Sequence, residues 1–345
     1  MKRIFYLDFL KGVAIFFVVL LHTAALGLSR AEIGTFTWEV CNVIDSLCRF
    51  VVPIFVMISG ALLLDEKKSF YLLKSLKRLF IPLIMWSMLY ALLVIAYQMR
   101  TVSFDSFTAF LKLSFITPTH NWFLFMLIGV YIMIPLLKPI IRNGGGKMLV
   151  ILWIVFGVLN PFCKNLDILT TFSNYISRFS ITLPLGYIGY FVLGYELSRV
   201  NRSIDKICLT FLVFLSIVII ICNALLTHYV SASQGCLTEI YYDYISPMVV
   251  IYSACLFLIF KRLFANNDYY NHQCYSKYIV LMSKYSLAIY MCHEFILIPI
   301  QKFGINPTIS NPIVSVPSIA LGIYTITFIL IHILAKVSFF RKTMM

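Results

Sequence analysis

Apolar runs close to 20 residues long alternate with short polar connectors along the whole chain. A helix crossing the roughly 30 Å hydrocarbon layer needs about 20 mostly apolar residues. Ten segments approach or meet that length, at 5–28, 41–64, 79–99, 122–141, 147–163, 180–198, 207–228, 244–264, 278–301 and 312–336. The fifth and sixth are the least regular: Asn160-Pro161 closes one, and Pro184 with Gly186, Gly189 and Gly194 loosens the other. Small residues and prolines are tolerated in membrane helices, where they let neighbouring backbones approach. The pattern predicts an all-α, polytopic integral membrane bundle of about ten transmembrane helices. It forms a single domain over residues 1–345. The first run is long and has no small-x-small exit, so it is expected to stay as the first span rather than be cleaved.

Composition agrees with the pattern. The 345 residues are 61% hydrophobic and 12% charged, which excludes a soluble enzyme, a disordered chain and a disulfide scaffold. The balance of 28 basic against 14 acidic residues would suggest nucleic acid in a soluble protein. Here the distribution decides otherwise. With the N-terminus inside, nineteen basic residues fall on the inner side, six on the outer side and three within spans. That asymmetry places both termini in the cytoplasm and removes the need for a nucleic-acid partner. The nine cysteines show no C-x-x-C pair and sit mostly in apolar runs, as buried thiols do. No bound metal or cofactor is expected.

Ionisable residues inside spans are costly, and each is a candidate for function. The first span carries Asp8, Lys11 and His22. At 100° per residue, Lys11 and His22 lie about 20° apart and Asp8 about 40° from His22, with His22 roughly 16 Å beyond Lys11 along the axis. The three form a stripe lining a shared cavity, or else two interface charges and one hydrogen-bonded histidine. His293-Glu294 lies deep in the ninth span, where a catalytic or substrate-binding role competes with a structural interhelix network. Asp45 and Arg49, at i and i+4, are expected to pair with each other. His332 and Lys284 lie nearer the inner face, where snorkelling or an interface position suffices. Lys74, Lys77 and Arg78 precede the third span, and their density suits phosphates as well as topology. The basic loop Arg142-Asn-Gly-Gly-Gly-Lys147 reads as a flexible turn, since a P-loop needs a strand before it.

Several of these stretches together resemble membrane-bound acyltransferase family 3, which includes bacterial polysaccharide O-acetyltransferases. Tyr6-Leu-Asp-Phe-Leu-Lys11…His22 is similar to the family's opening, with Lys11 where arginine is usual. Val52-Pro53-Ile-Phe55-Val-Met-Ile-Ser59-Gly60 is similar to its second-helix signature. Lys74–Pro82 resembles its Arg-x-x-Arg stretch, with Arg78 at the second arginine and Ser75 at the first, so that Lys74 or Lys77 would substitute. His120-Asn-Trp122-Phe123-Leu…Tyr131…Pro135 resembles its Trp-Phe-Leu start to the fourth helix. Ser283-Lys-Tyr-Ser286-Leu-Ala-Ile-Tyr290-Met-Cys-His293 resembles its late Ser…Tyr-x-x-His pattern. Order and spacing, more than any one piece, carry the likeness.

The resemblance implies acyl transfer, usually of acetyl from acetyl-CoA, to a glycan hydroxyl across a bacterial-type inner (plasma) membrane. His22 is then the catalytic candidate, as general base or as the carrier of a covalent acyl group. Lys11, Lys74, Lys77 and Arg78 are the donor-binding candidates. Asp8, Ser59, His120, Trp122, His293 and Glu294 are candidates for the acceptor site or cavity. Acetyl-CoA enters as substrate, and the partners are the glycan acceptor and membrane lipid. A transporter of a glycan or small solute is the alternative that ten spans and a buried polar stripe equally allow, and a non-catalytic sensor on the same bundle is another.

Overall fold

The computed structural model describes residues 3–65, 69–98, 121–165, 186–200, 204–265 and 274–343. The described residues are helical, with no strand among them. The helices are α1 (Phe5–Arg30), α2 (Phe36–Cys48), α3 (Val51–Leu63), α4 (Leu72–Gln98), α5 (Trp122–Arg142) and α6 (Gly146–Leu152). They continue as α7 (Asn160–Asn165), α8 (Gly186–Arg199), α9 (Lys206–Gln234), α10 (Pro247–Phe264), α11 (Cys274–Lys302), α12 (Pro312–Leu334) and α13 (Ser338–Thr343). A π-helical stretch, Trp153–Leu159, joins α6 to α7.

Helix starts follow local chemistry. Thr35, Asp205, Ser246 and Asn311 each accept a hydrogen bond from a backbone N–H of the first turn they precede, those of Trp38, Cys208, Val249 and Ile313. Pro247 and Pro312 then open α10 and α12, where a missing N–H costs nothing. Gly235 ends α9 at φ +67°, a left-handed conformation that glycine adopts without a Cβ penalty.

Eight helical segments among the described residues are long and apolar enough to cross a membrane. They correspond to eight of the ten predicted spans. The sixth prediction is represented by the 14 residues of α8, its first residues lying outside the described set. The ninth is α11, which has 29 residues but whose apolar run is broken by Ser283, Lys284, Ser286, His293 and Glu294.

Two boundaries differ from expectation. The second span begins at Phe36 and breaks into α2 and α3 at Arg49–Phe50. Pro53 has no N–H to give the carbonyl of Arg49, so the helical ladder is interrupted there. The third begins at Leu72 instead of 79, which puts Lys74, Lys77 and Arg78 on the first turns of α4.

Small residues set the closest approaches. A Cβ on Gly60 would lie 1.8 Å from the carbonyl oxygen of Phe191, and one on Gly194 2.1 Å from that of Met57. Helices α3 and α8 therefore cross with backbones in contact, as the small-residue interfaces of membrane bundles allow. α1 lies at the centre, against α2, α3, α10, α11 and α12. The cysteines whose side chains are described are free; Cys41, Cys48, Cys255 and Cys292 are buried, while Cys208 and Cys236 are exposed.

Candidate functional site

Helices α1 and α11 run side by side in the same direction. Ser283 Oγ donates to Asp8 at 2.6 Å near one end, and Arg30 donates to Gln301 at 3.3 Å near the other. Between them His22 Nδ1 lies 3.4 Å from Glu294 Oε1. The polar stripe of α1 thus faces the polar stripe of α11, which hides both from lipid. Two spans that start on the same side of a membrane must be parallel, so the packing agrees with an even number of crossings from the start of α1 to the start of α11.

His22, His293 and Glu294 form one cluster. The two imidazole rings are 5.0 Å apart between centroids and tilted by 47°. His293 is fully buried. Its Nδ1 lies 2.6 Å from the carbonyl oxygen of Tyr290. A carbonyl only accepts, so Nδ1 carries a hydrogen, and in the neutral ring Nε2 is then the acceptor. That Nε2 is 3.7 Å from Glu294 Oε1. The side chains of His22 and Glu294 are 27% and 13% exposed, so the cluster is sheltered without being sealed.

A cavity of about 330 Å³ lies on the side that the charges assign to the cytoplasm. Lys11, Ser59, Arg78, Tyr131, Lys284 and Tyr290 are among its lining residues. Lys284, an exposed residue expected to snorkel or to sit at the interface, is therefore also part of the wall of this space. Ser75, where the family pattern would have a first arginine, also lines it. Lys74 and Lys77 border a wider vestibule of about 820 Å³, together with Arg341 from α13. Arg78 belongs to both spaces. The C-terminal helix therefore meets the start of α4 on the side where Lys11 lies, which puts both ends of the chain on one face.

Tyr290 joins cavity and cluster: it lines the cavity, and its ring stands 6.0 Å from that of His293. His22 and Glu294 lie beyond it and do not line the cavity. Asp8 is held by Ser283 and by Arg3, whose Nε is 3.9 Å away, so it ties α1 to α11 below the cluster.

Beyond the cluster the walls are aromatic. Trp122 is 38% exposed, and its ring lies 5.6 Å from Tyr187 and 5.8 Å from Tyr244. Phe123, next in the chain, packs 5.3 Å from Tyr290, so a row of rings leads from Trp122 toward the cluster. Arg49 stiffens this wall. It pairs with Asp45 as expected, donates to the carbonyl of Tyr242 at 3.3 Å, and lies 4.3 Å from the Tyr242 ring and 5.6 Å from that of Tyr244. His120 lies outside the described residues.

Sequence reasoning found the cluster residues singly but not their meeting. It missed the roles of Lys284, Tyr187 and Tyr244 altogether. Lys284 stands inside the Ser…Tyr-x-x-His motif, two residues before Ser286, and that position was its one available signal.

The fold and site define a multi-pass membrane protein with a buried histidine–carboxylate cluster above a cation-lined cavity. Comparison with known families gives the class of chemistry: acyltransferase family 3, described as an acyltransferase domain, matches residues 4–332. The chain belongs to that family and is a membrane acyltransferase, which sets the transporter reading aside. No curated protein and no solved structure matches it.

Proposed function

We propose that the protein transfers an acetyl group from cytoplasmic acetyl-CoA to a hydroxyl of a cell-surface or lipid-linked glycan in a bacterial-type inner membrane. The observation that carries this reading is the cation-lined cavity that runs from the basic turns of α4 to Tyr290, whose ring stands beside His293, the neighbour of His22. Coenzyme A brings phosphates and a long, slender pantetheine arm. Lys74, Lys77 and Arg341 at the vestibule suit the phosphates, and Lys11, Arg78 and Lys284 suit those that reach deeper. Lys284 supplies inside the cavity a charge that Ser75 does not.

In this reading His22 is the general base. It takes the proton of the acceptor hydroxyl as that oxygen attacks the thioester carbonyl. The carbon–sulfur bond breaks, CoA leaves as thiolate, and the proton on His22 returns to that sulfur. Glu294 holds the imidazole in place and stabilises its charged form. The acceptor approaches along the aromatic wall, where Trp122 offers a face for the apolar side of a sugar ring.

The test uses purified protein in detergent with labelled acetyl-CoA and a glycan acceptor. Label should move to the acceptor, and His22→Ala should abolish the transfer at unchanged expression and monodispersity. Normal transfer by that variant sinks the assignment. Label trapped on the wild-type protein without acceptor would replace the direct route by a covalent one.

A further inference from the structure

We propose that His22, His293 and Glu294 form a binding site for a divalent transition-metal ion, zinc foremost, whose occupation switches the enzyme off. Each residue offers one ligand atom, and the three atoms lie within 4.8 Å of one another. Donors on a tetrahedral zinc ion with bonds of 2.0–2.1 Å are about 3.3 Å apart. The observed separations of 3.4 Å for His22 to Glu294 and 3.7 Å for His293 to Glu294 are close to that spacing. Side-chain rotations of about an ångström close the remainder.

The protonation pattern points the same way. The N–H of His293 donates to the Tyr290 carbonyl at 2.6 Å, which turns Nε2 toward Glu294 Oε1, 3.7 Å away. A ring N–H fixed by a backbone carbonyl, leaving the other nitrogen to ligate, is also the usual outer arrangement around a metal-binding histidine. Two imidazoles and one carboxylate suit zinc, cobalt, nickel or copper better than magnesium or calcium. The exposed fractions of His22 and Glu294 leave an approach for the ion and an open fourth position.

The switching part of the proposal rests on His22 being the base: an ion on Nδ1, the nitrogen that faces Glu294, puts the ring's one hydrogen on Nε2 and leaves no lone pair to take the acceptor proton. Zinc therefore competes with catalysis, and a chelator restores it.

Metal binding and catalysis are measured separately on the full chain in detergent. Equilibrium dialysis with zinc should show one ion per chain, and cobalt should give the intense visible absorption of a tetrahedral site. His22→Gln, His293→Gln and Glu294→Gln should each weaken binding at least about tenfold. His293→Cys, which keeps a ligand, should retain the ion and add a thiolate-to-cobalt charge-transfer band. His228→Gln, which alters the separate His228–Glu39 pair 2.5 Å apart, should bind as the wild type does. Absence of a stoichiometric site overturns the proposal, as does binding that survives the three Gln variants or is lost with His228→Gln. Binding without loss of acyl transfer overturns the switch alone. A protein that binds zinc yet transfers no acyl group when metal-free instead overturns the proposed function.

Discussion

Glu294→Gln is the substitution that separates a catalytic pair from a structural contact. It keeps the shape of the side chain and removes its charge. If His22 accepts the acceptor proton, an imidazolium forms 3.4 Å from Glu294 Oε1. At an effective dielectric constant of 20, unit charges at that distance attract by about 5 kcal/mol. Water reaching the partly exposed imidazole trims this to about 3–4 kcal/mol. At 1.36 kcal/mol per factor of ten, kcat should fall by about 10²- to 10³-fold. The charge pair exists only once the proton has moved, so the loss belongs to kcat, and KM for acetyl-CoA should stay within about twofold. The assay is steady-state transfer from labelled acetyl-CoA in chelator-treated buffer, which keeps metal effects out. A kcat within threefold of wild type refutes the pairing argument, as does a loss confined to KM.

Three further outcomes follow from named contacts. Lys284→Ala should raise KM for acetyl-CoA about five- to tenfold with kcat little changed, and the effect should shrink at high salt, because the side chain opens onto a solvated cavity. Trp122→Ala should raise KM for the glycan about tenfold while leaving that for acetyl-CoA alone, since only the acceptor would stack on the aromatic wall. Gly60→Ala or Gly194→Ala should destabilise the bundle by at least about 1–3 kcal/mol, because the added carbon meets the backbone of the facing helix. Gly129→Ala and Gly322→Ala, where nothing lies within 4 Å, should melt with the wild type in a thermal-shift assay in detergent.

The periodicity of apolar residues was enough to define the membrane bundle, because a span must satisfy its backbone internally and coat itself with apolar side chains wherever it meets lipid. Those are local demands, legible residue by residue. The same holds for the charge asymmetry and the Asp45–Arg49 pair one turn apart. Where the pattern misplaced a boundary, apolarity alone was too coarse a guide to where a helix breaks or begins. Pro53 broke the second span four residues upstream of itself, and the basic turns of α4 proved to be helix and not connector.

The site was legible only in halves. His22 and His293-Glu294 each stood out as polar residues that lipid would reject. Nothing within either stretch says that they meet, because 271 residues separate His22 from His293 and the meeting depends on two parallel helices in one register. Lys284 illustrates the same limit: a lysine near the end of a span reads equally as a snorkelling charge or a cavity wall, and neighbouring helices choose. Sequence alone therefore determined what this protein is made of, which side its charges face and which polar residues needed shelter. Tertiary structure decided who shelters whom, since the cost of a buried polar group is met by partners brought from elsewhere in the chain.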